Sequence, residues 1–155
     1  MLSTADDYLK FARVLLGKGR SGDVRVLSHR SVALMTTNWL TPEQRAAPTA
    51  FGPAFFAGQG FGLNLAIVDN PARLGPAPYA SVGSFNWAGA YGTSWQADPV
   101  EDMINVYMVQ INPVLTNAGI ARLAAAASAA PRPMAPPPTP PVVTLTNLAY
   151  EAIDD

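Results

Sequence analysis

The sequence has no cysteine, one histidine and two lysines among its 155 residues. The absence of cysteine excludes disulfides, thiolate nucleophiles and cysteine-based zinc sites. Most acid–base and amine chemistry would have to use His29, Lys10 or Lys18. Charged residues amount to only 14% and the formal net charge is -1, so no long-range attraction draws the chain to nucleic acid or to an anionic membrane.

Targeting signals and long apolar runs are also lacking. Residues 1–7 have neither the basic nor the apolar region of a secretory signal, and no stretch approaches the ~20 apolar residues of a membrane-spanning helix. We therefore expect a soluble chain without a membrane span, in a compartment that the sequence leaves open. A lone histidine without clustered carboxylates predicts no metal site, and no motif indicates a cofactor.

Apolar residues make up 49% of the chain, which is enough for the core of one domain. The first helix begins after Ser3 or Thr4, with Asp6 and Asp7 in its first turn, and ends at the glycines of segment 17–19. A short strand over 24–27 follows, and then a second helix that begins after Ser28. Segment 38–59 contains three prolines and is predicted to be irregular.

The second half of the chain changes to an alternating pattern. Strands are predicted over residues 61–68, 84–89, 93–97 and 103–110. Their short connections indicate an antiparallel meander, because parallel strands need longer crossovers. The fold class is therefore α+β, with an antiparallel sheet flanked by N- and C-terminal helices.

The C-terminal part is divided by composition. A helix is predicted from Asn117 to about Ala129, and seven prolines then occur between residues 131 and 141. Such a stretch is typical of an extended linker. We expect a domain over 1–130, a proline-rich linker over 131–143 and a C-terminal helix over 144–155, with Thr146 or Asn147 as its cap, that packs back on the sheet.

Two familiar motifs are matched without their structural context. Residues 17–22 match G-x-G-x-x-G, but a helix precedes them and a strand follows, which is the reverse of a dinucleotide-binding turn. Ser94 stands in a partial G-x-S-x-G pattern between two strands, without the final glycine. His29 is distant in a helical segment and is predicted to be an exposed residue at a helix start.

The stretch from Asn86 to Thr93 is the most informative for function. It reads as a strand that ends in small residues, where a substrate carbonyl could approach exposed backbone amides. The same residues also fit a tight hairpin in which glycine and alanine only satisfy the geometry of the turn. The residues alone leave both interpretations open.

Several segments, in order, resemble the C-terminal part of class C beta-lactamase-like serine hydrolases. This family of penicillin-binding serine hydrolases includes beta-lactamases, D-alanyl-D-alanine peptidases and carboxylesterases. The resemblance implies a beta-lactamase-like fold, here incomplete. It is carried by residues 3–13, 26–28, 32–35, 60–63, 87–89, 98–99 and 147–152.

The resemblance also implies a site. Family members use a serine in S-x-x-K, a tyrosine in Y-x-N and a third motif, K-T-G or W-x-G, on a sheet strand. The third motif corresponds to Trp87, Ala88 and Gly89, and the tryptophan is more similar to the esterase branch. The resemblance makes the backbone N–H of Ala90 one donor of the oxyanion hole, and these four residues would form part of the substrate pocket.

The first two family motifs are absent. No serine has lysine three residues later, and no tyrosine has asparagine two residues later. We therefore expect no catalytic nucleophile in this chain and no turnover by the chain alone, as for a C-terminal fragment or a truncated domain. The alternatives are a complementing subunit or partner-binding pseudoenzyme of the family, and an unrelated small α+β binding module.

The resemblance also implies partners. Strands from the missing N-terminal half would pair with the strand Met103–Gln110. Without them, Ile104, Val106 and Met108 would lie exposed, and the strand would invite self-association. The substrate remains open among esters, beta-lactams and peptides.

Overall fold

A computed structural model describes residues 3–49, 55–74, 79–111 and 141–153. The first half contains three helices, α1 (Ala5–Leu16), α2 (His29–Met35) and α3 (Pro42–Ala46). A two-stranded hairpin of β1 (Arg20–Ser21) and β2 (Val24–Arg25) lies between α1 and α2. The second strand is shorter than the predicted 24–27.

Local capping signals determine where the first two helices begin. The Thr4 hydroxyl accepts a hydrogen bond from the backbone N–H of Asp7 at 3.2 Å, and Ser28 accepts one from Ser31 at 2.9 Å. Each bond satisfies an amide that has no partner within its helix. Both predicted helix starts are confirmed.

The prediction that segment 38–59 is irregular is wrong for α3. Thr41 and Gln44 form a reciprocal capping box, with bonds of 3.3 Å and 2.8 Å between each side chain and the other residue's backbone N–H. Pro42 occupies the first turn, where a missing N–H costs nothing. The proline that excluded a strand is therefore compatible with a helix.

The second half forms a five-stranded antiparallel sheet. Its strands follow one another in the order β3-β4-β5-β6-β7, and a 3-10 turn (Pro71–Arg73) precedes β5. The predicted fold class, α+β with an antiparallel sheet and flanking helices, is confirmed. The strands are β3 (Gln59–Phe61), β4 (Ala66–Val68), β5 (Phe85–Ala88), β6 (Ser94–Asp98) and β7 (Met103–Tyr107).

The predicted single strand over 61–68 is in fact the hairpin of β3 and β4. Phe61 pairs with Ala66, and the turn includes Asn64 at a positive φ of 62°. The end of α2 lies close to this turn: a Cβ on Gly62 would be 2.0 Å from the carbonyl oxygen of Met35. The sequence alternates through the turn without interruption, so its pattern does not indicate this tertiary contact.

One side chain joins the helical segment to the edge of the sheet. The Asn38 side-chain oxygen accepts hydrogen bonds from the backbone N–H of Leu40 at 2.9 Å and of Phe61 at 3.0 Å. Gly60 makes room for it, since a Cβ there would be 2.1 Å from the Asn38 side chain. The position of β3 is thus set by a polar contact with the chain that follows α2.

The main core lies between one face of the sheet and the helices α1 and α2. The predicted exposure of Ile104 and Val106 is wrong, because both side chains pack, partly buried, against this core. Helix α1 contacts β7 and covers this part of the edge strand, whereas Met108 lies exposed as predicted. The buried residues of the core are Ala12, Leu15, Val32, Leu65, Ile67, Phe85, Trp95 and Ala97.

The C-terminal helix α4 (Pro141–Glu151) begins earlier than the predicted cap at Thr146 or Asn147. Thr146 is instead buried within the helix. The predicted helix from Asn117 and residues 131–140 of the predicted linker lie outside the described residues. The division into 1–130, 131–143 and 144–155 stays a prediction. Among the described helices, none has the length and apolar character needed to cross a membrane.

Candidate functional site

The predicted third motif lies where β5 reaches its end. Trp87 pairs with Trp95 and Ala88 pairs with Ser94 on β6, so both residues belong to the sheet. Gly89 is the first residue beyond the strand, and Ala90 lies in the turn that follows. Trp87 is half-buried, whereas Ala88, Gly89 and Ala90 are exposed. The four predicted residues are thus continuous along one exposed strand end.

The turn after β5 has a clear requirement for glycine. The Gly89 N–H donates to the Thr93 carbonyl at 2.8 Å, and the Gly92 N–H donates to the Gly89 carbonyl at 3.0 Å. A Cβ on Gly89 would be 2.3 Å from the Thr93 hydroxyl, and Gly92 has a φ of +86°. Both glycines therefore serve the closure of the hairpin.

The turn after β5 contains no hydrogen-bond acceptor for the backbone N–H of Ala90. Its neighbours Gly89 and Gly92 donate within the turn, but Ala90 has no hydrogen-bond partner among the described residues. An exposed amide at the end of a strand can donate to a carbonyl oxygen that approaches from solvent. The two interpretations of segment 86–93 are therefore compatible: the turn is satisfied and one amide stays available.

A cleft of about 320 Å³ opens beside the motif. Helix α1 contributes Tyr8 to it, and the segment that leads into α1 contributes Ser3. The cleft is of the size of the smaller ligand sites in proteins. The other lining residues are Trp87, Ala88, Gly89, Thr93, Ser94, Trp95 and Met108.

The cleft contains hydroxyl groups but no residue suited to activate them. Within the described part of the chain, none of the lining residues is a lysine, histidine, aspartate or glutamate. Burial raises the pKa of the Tyr8 hydroxyl, so this group is a neutral hydrogen-bond donor near pH 7 and not a general base. Ser3 and Ser94 therefore lack the adjacent base that a nucleophilic serine needs.

The strongest electrostatic feature of the described residues lies where α4 meets the sheet. Asp98, only 1% exposed, accepts hydrogen bonds from the backbone N–H of Ser81 and of Val100, each at 2.9 Å, and from the Tyr150 hydroxyl. Burial works to raise the pKa of Asp98, but these bonds outweigh it and lower the pKa to about 2. Burial and the adjacent carboxylate raise the pKa of Tyr150.

This network fixes α4 and not the third motif. Gln96 donates to the Tyr150 hydroxyl at 2.9 Å, and the Asn147 side chain accepts from the Tyr79 N–H at 2.8 Å. Gln96 pairs with Asn86 across β5 and β6, so it points to the sheet face opposite Trp95. The attachment of α4 to the sheet therefore explains the low pKa of Asp98, and a catalytic role is not needed to explain it.

The end of β5 could be predicted from the sequence, but the side chains that form the walls of the adjoining cleft could not. Tyr8 and Phe11 recur with the same helical spacing as the buried residues of α1, so this spacing carries no signal for a cleft. Asp98 and Tyr150 are far apart in the sequence, and nothing near either residue predicts their contact.

Comparisons with known proteins agree with this arrangement. The family model described as Beta-lactamase matches residues 1–130. Protein Rv1367c of Mycobacterium tuberculosis (strain ATCC 25618 / H37Rv) is 50% identical over 124 residues, which cover 79% of this chain and 30% of that protein. The chain thus spans about 30% of the length of the curated relatives that it matches.

Two solved structures share the fold. EstCE1, described as a hydrolase with promiscuous acyltransferase activity, is 25% identical with a TM-score of 0.56, over 78% of this chain and 28% of that one. Simvastatin synthase LovD from Aspergillus terreus, in its LovD9 mutant, is 20% identical with a TM-score of 0.59, over 95% and 34%. Since the family model covers residues 1–130, which is most of the chain, this chain belongs to the beta-lactamase family.

Proposed function

We propose that the chain forms one wall of the active site of a serine hydrolase of the esterase type. Trp87, Ala88 and Gly89 take the place of the third family motif, and the Ala90 N–H donates to the oxyanion of the tetrahedral intermediate. The observation that carries this proposal is the available Ala90 amide at the exposed end of β5, next to an open cleft. An oxyanion donor of this kind contributes ~100- to 1,000-fold to the turnover rate.

The nucleophile comes from polypeptide outside this sequence. The 155 residues contain neither S-x-x-K nor Y-x-N, and the hydroxyls beside Trp87 have no base among the lining residues. The chain therefore acts as the C-terminal part of a larger hydrolase and has no turnover on its own. The match covers only 30% of the length of Rv1367c, which supports the proposal that further polypeptide completes the hydrolase.

The test has two arms that use the whole chain. In the first, the purified chain is incubated with a chromogenic ester, a chromogenic cephalosporin and a fluorophosphonate probe that labels activated serines. We expect no hydrolysis and no label. An acyl or phosphonyl adduct on any hydroxyl of this chain contradicts the proposal.

In the second arm, the chain is mixed with a polypeptide that carries S-x-x-K and Y-x-N motifs, and ester hydrolysis is measured. We expect hydrolysis only in the mixture. Ala90→Pro, which removes the N–H, lowers the turnover rate ~100-fold or more. Ala90→Gly is the matched control, because it removes the methyl group and keeps the donor. Equal rates for the two variants contradict the role of the Ala90 amide, and stable binding without turnover indicates the partner-binding pseudoenzyme.

A further inference from the structure

A second cavity, of about 530 Å³, lies next to the cleft at the third motif. The two cavities share Tyr8, Trp87 and Trp95 as lining residues, so the third motif borders both of them. We name this second cavity the aromatic trough. Its lining residues are Tyr8, Phe11, Met35, Phe61, Leu63, Asn64, Leu65, Trp87 and Trp95.

The walls of the aromatic trough are held by ring contacts. Trp95 packs edge-to-face against Tyr8 and Phe11, with ring centroids 5.6 Å and 5.7 Å apart, and Trp87 packs in the same way against Phe61 at 5.1 Å. Such contacts hold aromatic side chains in defined orientations. Phe11 is nevertheless 42% exposed and Leu63 is 53% exposed, so apolar surface remains open to a ligand.

Among the residues that the structure describes, no charged side chain lines either the aromatic trough or the adjoining cleft. The polar groups there are neutral: hydroxyls in the cleft and the Asn64 amide in the trough. Lys10 on α1 is paired with Asp7 at 3.0 Å on the exposed surface and is not a lining residue. A ligand carboxylate would therefore lose hydration without gaining a cation, which is unfavourable, whereas a neutral apolar group loses nothing comparable.

We infer that the aromatic trough binds the acyl chain of a neutral ester whose carbonyl lies at Ala90. This inference rests on the proposed function, and it selects uncharged acyl esters over the carboxylate-bearing beta-lactams and peptides. The exposed apolar surfaces of Phe11 and Leu63 provide contact area along the acyl chain. Within the walls that this chain supplies, the neutral lining disfavours anionic ligands. The lysine of S-x-x-K, which the proposed function places outside this sequence, is not part of these walls.

The test measures binding to the full 155-residue chain and requires no turnover. Quenching of tryptophan fluorescence is titrated with methyl butyrate, methyl hexanoate and methyl octanoate, and with a cephalosporin that carries a free carboxylate. Each added methylene that enters the trough tightens binding by ~4-fold. We expect a steady gain along the ester series and weaker binding of the cephalosporin than of methyl octanoate.

Leu63→Lys places a cation at the exposed rim of the trough. We expect at least tenfold weaker binding of methyl octanoate and tighter binding of octanoate ion. Leu148→Lys on α4 is the matched control, since Leu148 is 56% exposed and lies outside both cavities, and its affinities should equal those of the wild type. Circular dichroism confirms that both variants are folded.

The outcomes separate the inference from the proposed function. Binding that is independent of acyl length, or a cephalosporin that binds as tightly as methyl octanoate, overturns the inference. If Leu63→Lys and Leu148→Lys have the same affinities, the trough is not the binding site, even when the mixed chains hydrolyse esters. If the ester series binds as expected while the mixture shows no hydrolysis, only the proposed function fails.

Discussion

Tyr150→Phe is the sharpest test of how α4 is attached to the sheet. The substitution removes the hydroxyl that donates to Asp98 and accepts from Gln96, and it leaves the ring in place. The pKa of Asp98 lies at about 2 instead of 3.8, which corresponds to roughly 2 kcal/mol of stabilisation at neutral pH. Tyr150 makes the strongest of the hydrogen bonds that lower this pKa, and the backbone N–H groups of Ser81 and Val100 keep theirs, so we expect Tyr150→Phe to lose ~1 kcal/mol.

The pH dependence follows from the lowered pKa of Asp98. The stabilisation is complete above the unfolded pKa of 3.8 and is lost as the pH falls through 3.8 toward about 2. The difference in unfolding free energy between the wild type and Tyr150→Phe should therefore be largest near pH 7. At pH 2 to 2.5 it should shrink to less than about half, because Asp98 is then almost fully protonated in the unfolded chain and partly protonated in the fold.

The assay is urea unfolding followed by circular dichroism at both pH values. Tyr91→Phe serves as the matched control, because Tyr91 is 55% exposed and its hydroxyl does not take part in this network. We expect Tyr91→Phe to change stability by less than ~0.5 kcal/mol. If Tyr150→Phe is equally harmless at pH 7, or if its effect is the same at both pH values, the reasoning is wrong.

Three further predictions concern the fold and use the same urea assay. Gly62→Ala places a methyl group 2.0 Å from a carbonyl oxygen at the end of α2, so it should cost more than ~2 kcal/mol of unfolding free energy. Gly22 has open space around it and a φ of +57°, so the control Gly22→Ala should cost only ~1 kcal/mol. Equal losses for the two variants would contradict the close approach at Gly62. Thr4→Ala removes the cap of α1 and should cost ~1 kcal/mol, a prediction refuted by an unchanged midpoint. Arg45→Ala breaks the 2.7 Å ion pair with Asp69 and should cost under ~1 kcal/mol, less still at 1 M salt; a salt-independent loss would point to another cause.

The elements that could be predicted from the sequence are those with local causes. Thr4 and Ser28 cap their helices with bonds that span three residues, so a short window contains the whole signal. The β5–β6 hairpin was predictable for the same reason, since alternating strands flank its glycines. The third motif was predicted by resemblance, and the structure adds the available Ala90 amide.

The elements that were missed depend on contacts between distant parts of the chain. The break between β3 and β4 is invisible in the alternating pattern, because the turn depends on the approach of Gly62 to Met35. The start of α4 at Pro141 lies within residues whose composition indicates an extended linker. The aromatic trough was missed because Tyr8 and Phe11 have the same spacing as the buried side of α1.

The junction at Asn38 also determines how the aromatic trough can deform. Gly62 brings the hairpin of β3 and β4 against the backbone at the end of α2, and Gly60 makes room for the Asn38 side chain, which is hydrogen-bonded to Phe61. Met35 on one side of the trough is therefore held to Leu63 on the other, because the Leu63 N–H donates to the Met35 carbonyl at 3.1 Å. Separating these two walls would break that hydrogen bond. For the acyl chain proposed above, the bond opposes greater width and leaves greater length unopposed.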